Sequence, residues 1–190
     1  MMVRKPPDNR LADAGTLLAT THPLDGGARV RLRLTRPSDA TRVRGFFERL
    51  APETRQRRFL SPMPSVPQPV VDHFTFYNPR ERLVIAATMP GQGGEEVVGL
   101  GDVCFVSTGI AEIGLVVEEE HQSRGIGRLI GEAIASLALS HGATHLKAEM
   151  LDSSPAVMKV LGSIGRTFSA IEDGRAVAYV KLPARASWAA

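Results

Sequence analysis

Residues 122–128, Gln-Ser-Arg-Gly-Ile-Gly-Arg, place two glycines and two arginines just before the most regular apolar repeat in the chain. Glycine has no Cβ, so at Gly125 and Gly127 the backbone can approach a ligand closely. A helix starting there adds unpaired N–H groups and the positive end of its dipole. Arg124 and Arg128 add guanidinium donors whose fork matches phosphate oxygens. The stretch predicts a phosphate or pyrophosphate site at Arg124, Gly125, Gly127 and Arg128.

Two common phosphate ligands fit this turn poorly. A nucleoside triphosphate loop of the form G-x-x-x-x-G-K-[ST] needs a lysine, and the turn has none. Gly125, Gly127 and Gly131 approximate a dinucleotide fingerprint, with Glu149 where a ribose-binding acid would stand. That fingerprint follows its strand tip directly, whereas here the polar run Glu118 to Arg124 intervenes. Glu118–Glu120 are expected to be solvated and to point away from the turn.

The elements that must hold this turn are legible from periodicity. Val30, Leu32 and Leu34 alternate with arginines in "ARVRLRLTR", the pattern of a half-buried strand. Ser38 or Asp39 is expected to cap a helix carrying Val43, Phe46, Phe47 and Leu50, with Pro52 opening a second. A helix near residues 70–77 follows a proline-rich loop. Strands at 82–89, 95–107 and 111–119 then form an antiparallel meander. Ile126, Leu129, Ile130, Ala133, Ile134 and Leu137 mark a long amphipathic helix ended by Gly142. A strand at 144–151, a helix starting at Pro155 and a hairpin turning at "EDG" complete the order. The result is a mixed α/β sheet, mainly antiparallel, with one parallel crossover. Residues 1–27 are expected to be a flexible extension, 28–184 the folded domain and 185–190 a tail.

Composition narrows the classes of function. Among 190 residues, 43% are apolar, enough for one core. The net charge of +3 and 5% aromatic content argue against a nucleic-acid binder. One cysteine, Cys104, excludes an intrachain disulfide or thiolate cluster and suits a reducing, cytoplasmic setting; it is expected to act as a buried apolar residue. No leader-like or membrane-spanning apolar run is present. His141 and His145 are parted by Gly142, so no metal site is expected. A monomer or a homodimer would be equally compatible with these features.

With its context, the turn resembles a known family. Gln122-Ser123-Arg124-Gly125-Ile126-Gly127 is similar to Q/R-x-x-G-x-G/A, the pyrophosphate loop of the GCN5-related N-acetyltransferases (GNAT). A strand opening Ala111-Glu112-Ile113 precedes it and the long helix follows, as in that family. The resemblance covers roughly residues 28–183. Within it, "FFERLAPETRQRRFL" is similar to a segment of Pat-type bacterial protein lysine acetyltransferases.

The resemblance implies a GNAT-like fold and acetyl-CoA as cosubstrate, its pyrophosphate at residues 122–128. It implies that backbone groups of Leu115, Val116 and Val117 hold the pantetheine arm, on a bulged strand that splays from its neighbour. Glu112 matches the position of the general base, usually acting through water. Ser154 stands where the family places an Asn; its hydroxyl could bond pantetheine or cap the helix before Pro155. Leu161 stands where the family carries a Tyr that protonates the departing thiolate, a departure that leaves open how active the enzyme is. The implied acceptor is a primary amine, by the Pat-type segment a protein lysine. A small-molecule amine, or a non-catalytic acyl-CoA sensor, are the alternatives.

Overall fold

The computed structural model describes residues 13–152 and 154–183. Eight strands form one sheet in the order β1-β2-β3-β4-β5-β6-β8-β7. These are β1 (Thr21–Pro23), β2 (Arg29–Leu34), β3 (Arg82–Gly91), β4 (Gly94–Ser107), β5 (Ile110–Val117), β6 (His145–Met150), β7 (Arg166–Glu172) and β8 (Arg175–Lys181). All neighbours pair antiparallel except β5 and β6. The mixed, mainly antiparallel sheet expected from the sequence is therefore present. A parallel pair needs a crossover, and helix α5 (Ile126–Ser140) provides it.

Helices cover both faces of the sheet. On one side α5 packs with α1 (Ala14–Ala19) and α6 (Pro155–Ile164). The core there includes Leu32, Ile85, Val103, Ile130, Ile134, Leu146 and Leu161. On the other side lie α2 (Ala40–Arg49), α3 (Pro52–Phe59) and α4 (Gln68–Thr75). Phe46, Phe47 and Phe74 fill that second core against Val84, Leu100 and Val116. Central β4 is buried on both faces from Val97 to Val103, which explains an apolar run broken there only by Asp102. Pro52 and Pro155 occupy first turns of their helices as expected. Asp173 and Gly174, both at positive φ, make the turn between β7 and β8.

Three local expectations are corrected. Residues 13–27 are not a loose extension: Asp13 caps α1 by accepting from Thr16 N–H at 3.1 Å. Leu17 is buried in the α5-side core, and Thr21–Pro23 add an edge strand to β2. So short a helix has too few periodic positions to register in sequence, and its stability comes from packing. Residues 1–12, the rest of the expected extension, and residues 184–190, which include the expected tail 185–190, lie outside the described residues. Second, Asp39 stands at the N-cap of α2 but its side chain makes no cap bond there; with Ser38 it lies in a short 3-10 turn, Pro37–Asp39. Asp39 instead takes a bidentate pair from Arg33, at 2.7 and 2.8 Å, beneath the sheet edge.

Arg33 also donates to Glu95 at 2.6 Å and 3.0 Å, so one buried guanidinium ties β2 to β4 and to the turn before α2. Burial pushes the Asp39 carboxyl up, but hydrogen bonds from Arg33 and the Arg36 N–H outweigh it and hold it below the usual range. The Arg33 guanidinium holds Glu95 low as well. A carboxyl lowered by folding adds stability above its unfolded pKa, near ~4, and that stability fades as pH falls through the folded value. Thermal unfolding between pH 7 and pH 2 should therefore show a midpoint that drops below about pH 4. Asp39→Asn should flatten that decline.

The third correction concerns the bulge expected in β5. The β5 register against β4 is continuous from Ala111 to Val117, and the irregularity falls on β4 between Phe105 and Ser107. Glu112, Gly114 and Val116 consequently share one face.

Candidate functional site

The β5–β6 pair opens where the chemistry would sit. Only Ile110, Ala111 and Glu112 pair with β6, opposite His145, Leu146 and Lys147. Beyond that point β5 stays on β4 through Val117 and leaves its other edge without a strand. Backbone polar groups alternate sides along a strand. Glu118 N–H bonds Val98 C=O at 3.0 Å, so Val116 two residues earlier also turns its backbone toward β4. Leu115 and Val117 turn theirs to the open edge. Of the three residues expected to meet an extended ligand, two are positioned to do so and Val116 is not; its side chain packs in the second core.

Gln122 differs from expectation too. Its Nε2 donates to Val117 C=O at 2.9 Å, which pins the loop to the strand end. The turn itself has an unusual backbone. Ser123 (φ 59°) and Gly125 (φ 91°) are both left-handed, and successive N–H groups in such a loop form a concave nest. Gly125 is the N-cap of α5, and no other atom lies within 4 Å of where a Cβ would be. Its backbone angle, rather than lack of room, requires glycine there. Arg124 is exposed, whereas Arg128 is tied to Glu132 at 2.7 Å one turn along the helix. Gly127 meets Val160 and Val117 at ordinary distances. Gly131 is explained by packing: an added Cβ would come within 2.9 Å of Ile164 on α6. The glycine that completed a near-dinucleotide fingerprint is thus a helix-contact residue.

The acidic run before the turn is not all solvated. Glu118 is buried and pairs with Arg49 of α2 at 2.7 Å. Glu119 accepts from the Ala51 N–H at 3.1 Å, between α2 and α3. Glu120 is exposed. The run does point away from the nest, because two of its carboxylates anchor the connection to the opposite helical layer. Arg49 lies in the "FFERL" segment, which gives part of that segment a structural duty.

Glu112 is exposed on the α2–α4 face and borders a cavity of about 420 Å³. Cys104 stands beside Glu112 on β4, and Arg82 stands beside Cys104 on β3. Asp102, next along β4, takes hydrogen bonds from Arg58 of α3 and from Arg82, the latter at 3.3 Å. Arg58 lies over the rings of Phe59 and Phe74 at 5.7 and 5.2 Å. It also lies against Gly114, where a Cβ would collide with the guanidinium at 2.8 Å. His73 of α4 completes a wall; burial, then Arg82, pushes its pKa down and keeps it neutral near pH 7. Burial and the neighbouring Asp102 carboxylate push the Cys104 thiol up, so it stays protonated.

Across the splay, Lys147 turns its ammonium to Glu172 at 3.3 Å and Glu149 at 3.7 Å. Ser154 is the N-cap residue of α6 but makes no side-chain cap bond, so capping does not consume its hydroxyl. Leu161 is fully buried in the α5-side core. His141 stacks on Phe105 with centroids 4.1 Å apart, while His145 faces Thr144. Among the described residues no cluster of three metal-ligating side chains occurs.

Arg58, Arg82 and Asp102 were missed in sequence. Arg58 sits in "RQRRFL", where four polar residues look like a solvated face. Asp102 did carry a signal. A carboxylate within the apolar run Val97–Val103 must find partners, because burying an unpaired charge is prohibitive.

The comparisons with known proteins agree with this fold. The sequence pattern of the acetyltransferase (GNAT) family matches residues 51–165, more than half of the chain. The chain belongs to that family and is an acetyltransferase. The GNAT domain of Streptomyces lividans PAT is similar in structure, with a TM-score of 0.76 and 26% identity, over 86% of this chain and 96% of that one. A cAMP-binding acyltransferase from Mycobacterium smegmatis shares the fold at TM-score 0.55 and 24% identity; 90% of this chain is covered but only 50% of that one. A protein whose structure is described as that of a putative phosphinothricin N-acetyltransferase also shares the fold, at TM-score 0.57 and 15% identity, over 81% of this chain and 99% of that one. Among curated proteins none matches in sequence. No helix among the described residues is long and apolar enough to cross a membrane.

Proposed function

We propose that this chain transfers an acetyl group from acetyl-CoA directly to a primary amine, with both substrates bound at once. The observation that carries the reading is the splayed β5–β6 edge, which leads from Glu112 to the nest at Ser123–Gly125. The pyrophosphate of the cosubstrate would rest on the N–H groups of Ser123 to Gly127, with Arg124 and then Arg128 outside it. The pantetheine amides would bond Leu115 and Val117 as an added strand would, and Ser154 would reach the arm from α6. Gln122 supports the site by fixing Val117 rather than by touching phosphate.

Glu112 would accept the proton of the incoming ammonium, through water, so that the neutral amine attacks the thioester carbonyl. The new C–N bond forms at the carbonyl carbon while an N–H near Leu115 would stabilise the oxyanion; the C–S bond then breaks as the carbonyl re-forms, and the second proton of the nitrogen passes to the departing thiolate or to water. Leu161 supplies no proton. A thiol of pKa near ~8.5 can leave as thiolate, so transfer does not need one.

The Pat-type resemblance supports a protein lysine as acceptor, in a cytoplasmic setting. The walled cavity beside Glu112 favours a second reading, a small amine. Thiol release from acetyl-CoA, measured with folded proteins and with free amines, tests both. Turnover with at least one amine class is expected. Tight acetyl-CoA binding without turnover on any amine would instead identify a non-catalytic acyl-CoA sensor.

A further inference from the structure

The cavity beside Glu112 has a charge pattern that acetyl transfer to a plain amine does not require. Its volume of about 420 Å³ is many times the ~30 Å³ share of one water, far more than the tip of an amine needs. Two guanidinium groups, Arg58 and Arg82, serve one carboxylate, Asp102. His73 and Cys104 are the other titratable groups lining it, and both are uncharged near neutral pH. The inner end therefore keeps one positive charge in excess, and Glu112 places one negative charge at the end nearest the splay. Arg82, Cys104 and Glu112 are consecutive cross-strand neighbours. With strands ~4.8 Å apart, the two charged ends are anchored about 10 Å from each other.

We infer that the acceptor carries a carboxylate close to its amine, with Arg58 and Arg82 holding the carboxylate while Glu112 receives the ammonium. Arg58 and Arg82 are then the residues that set acceptor specificity. Two sources share this chemistry: a free amino acid, and a protein lysine with an acidic neighbour. The apolar walls, Phe59, Val70 and Phe74, suit an aliphatic or aromatic side chain projecting beside the two charges. The inference rests on the proposed acetyl transfer, with Glu112 at its centre.

The test compares kcat/KM within matched pairs, by thiol release from saturating acetyl-CoA. One arm pairs L-phenylalanine with phenethylamine and L-leucine with 3-methylbutylamine. The other uses capped lysine peptides with Asp or Glu beside the lysine, paired with their Asn or Gln counterparts. The carboxylate member should be favoured by roughly 10- to 100-fold in one arm, the worth of a charge-assisted hydrogen bond, and the favoured arm identifies the source. In Arg82→Gln that ratio should collapse toward one, and Arg82→Lys should restore part of it. Ratios near one in both arms, with turnover present, would overturn the inference and leave the acetyl-transfer reading standing. If acetyl-CoA binds but no amine turns over, both fall together. The wild-type ratios decide the matter even if a variant fails to fold.

Discussion

Replacing Glu112 by Gln is expected to lower kcat for acetyl transfer about 100- to 1,000-fold at pH 7, the usual worth of a positioned general base. The reason lies in the acceptor. A lysine-type amine has a pKa near ~10.4, so presenting it neutral at pH 7 costs roughly 4–5 kcal/mol. Glutamine matches the shape of glutamate and keeps its polar contacts but cannot take the proton. Glu112 is exposed on a continuous strand whose neighbours hold the register, so the substitution should leave the fold intact. Lys147, its partner across β6, is already turned to Glu172 and Glu149. As pH rises from 6 to 9, more of the acceptor is neutral without help, and the deficit should narrow. Equal rates for both proteins across that range would show that Glu112 is not the base.

Replacing both Arg124 and Arg128 by Ala is expected to weaken acetyl-CoA binding about 100-fold. Each charge-assisted hydrogen bond to phosphate is worth about 1.5–3 kcal/mol. The two arginines should not contribute equally. Arg128 already holds Glu132 at 2.7 Å and must divide its charge, whereas Arg124 is exposed beside the left-handed turn. Arg124→Ala alone should account for most of the loss. Both side chains lie on the surface, so the thermal midpoint should move little. Residual affinity would come from backbone N–H groups at the start of α5, which neither substitution removes.

The sequence disclosed the layers of this fold better than the details of its site. The meander of β3, β4 and β5, the long helix α5 and the closing hairpin each had a strong period or a glycine-marked turn, and all are present. The short α1 and β1 had neither, because six- and three-residue elements gain their order from packing on α5 and β2. The glycine turn was visible because glycine at Gly125 answers a local backbone demand. The role of Gly131 was not visible, since its reason lies on a different helix, at Ile164. The acidic run and the arginines of α2 and α3 misled for one shared physical reason. Charge in sequence normally means solvent, yet Glu118 with Arg49 and Asp102 with Arg58 are long-range pairs that neutralise each other at the sheet. Similarly, only the pairing with β4 shows that Val116 turns its backbone away from the open edge.

Calorimetric titration of the purified chain with acetyl-CoA, beside the Arg124→Ala, Arg128→Ala double variant, tests most directly whether the splayed edge and the nest are one cosubstrate site. The account predicts one-site micromolar binding that weakens about 100-fold in the double variant. Absence of binding by the wild type, or equal affinity in both proteins, would contradict it.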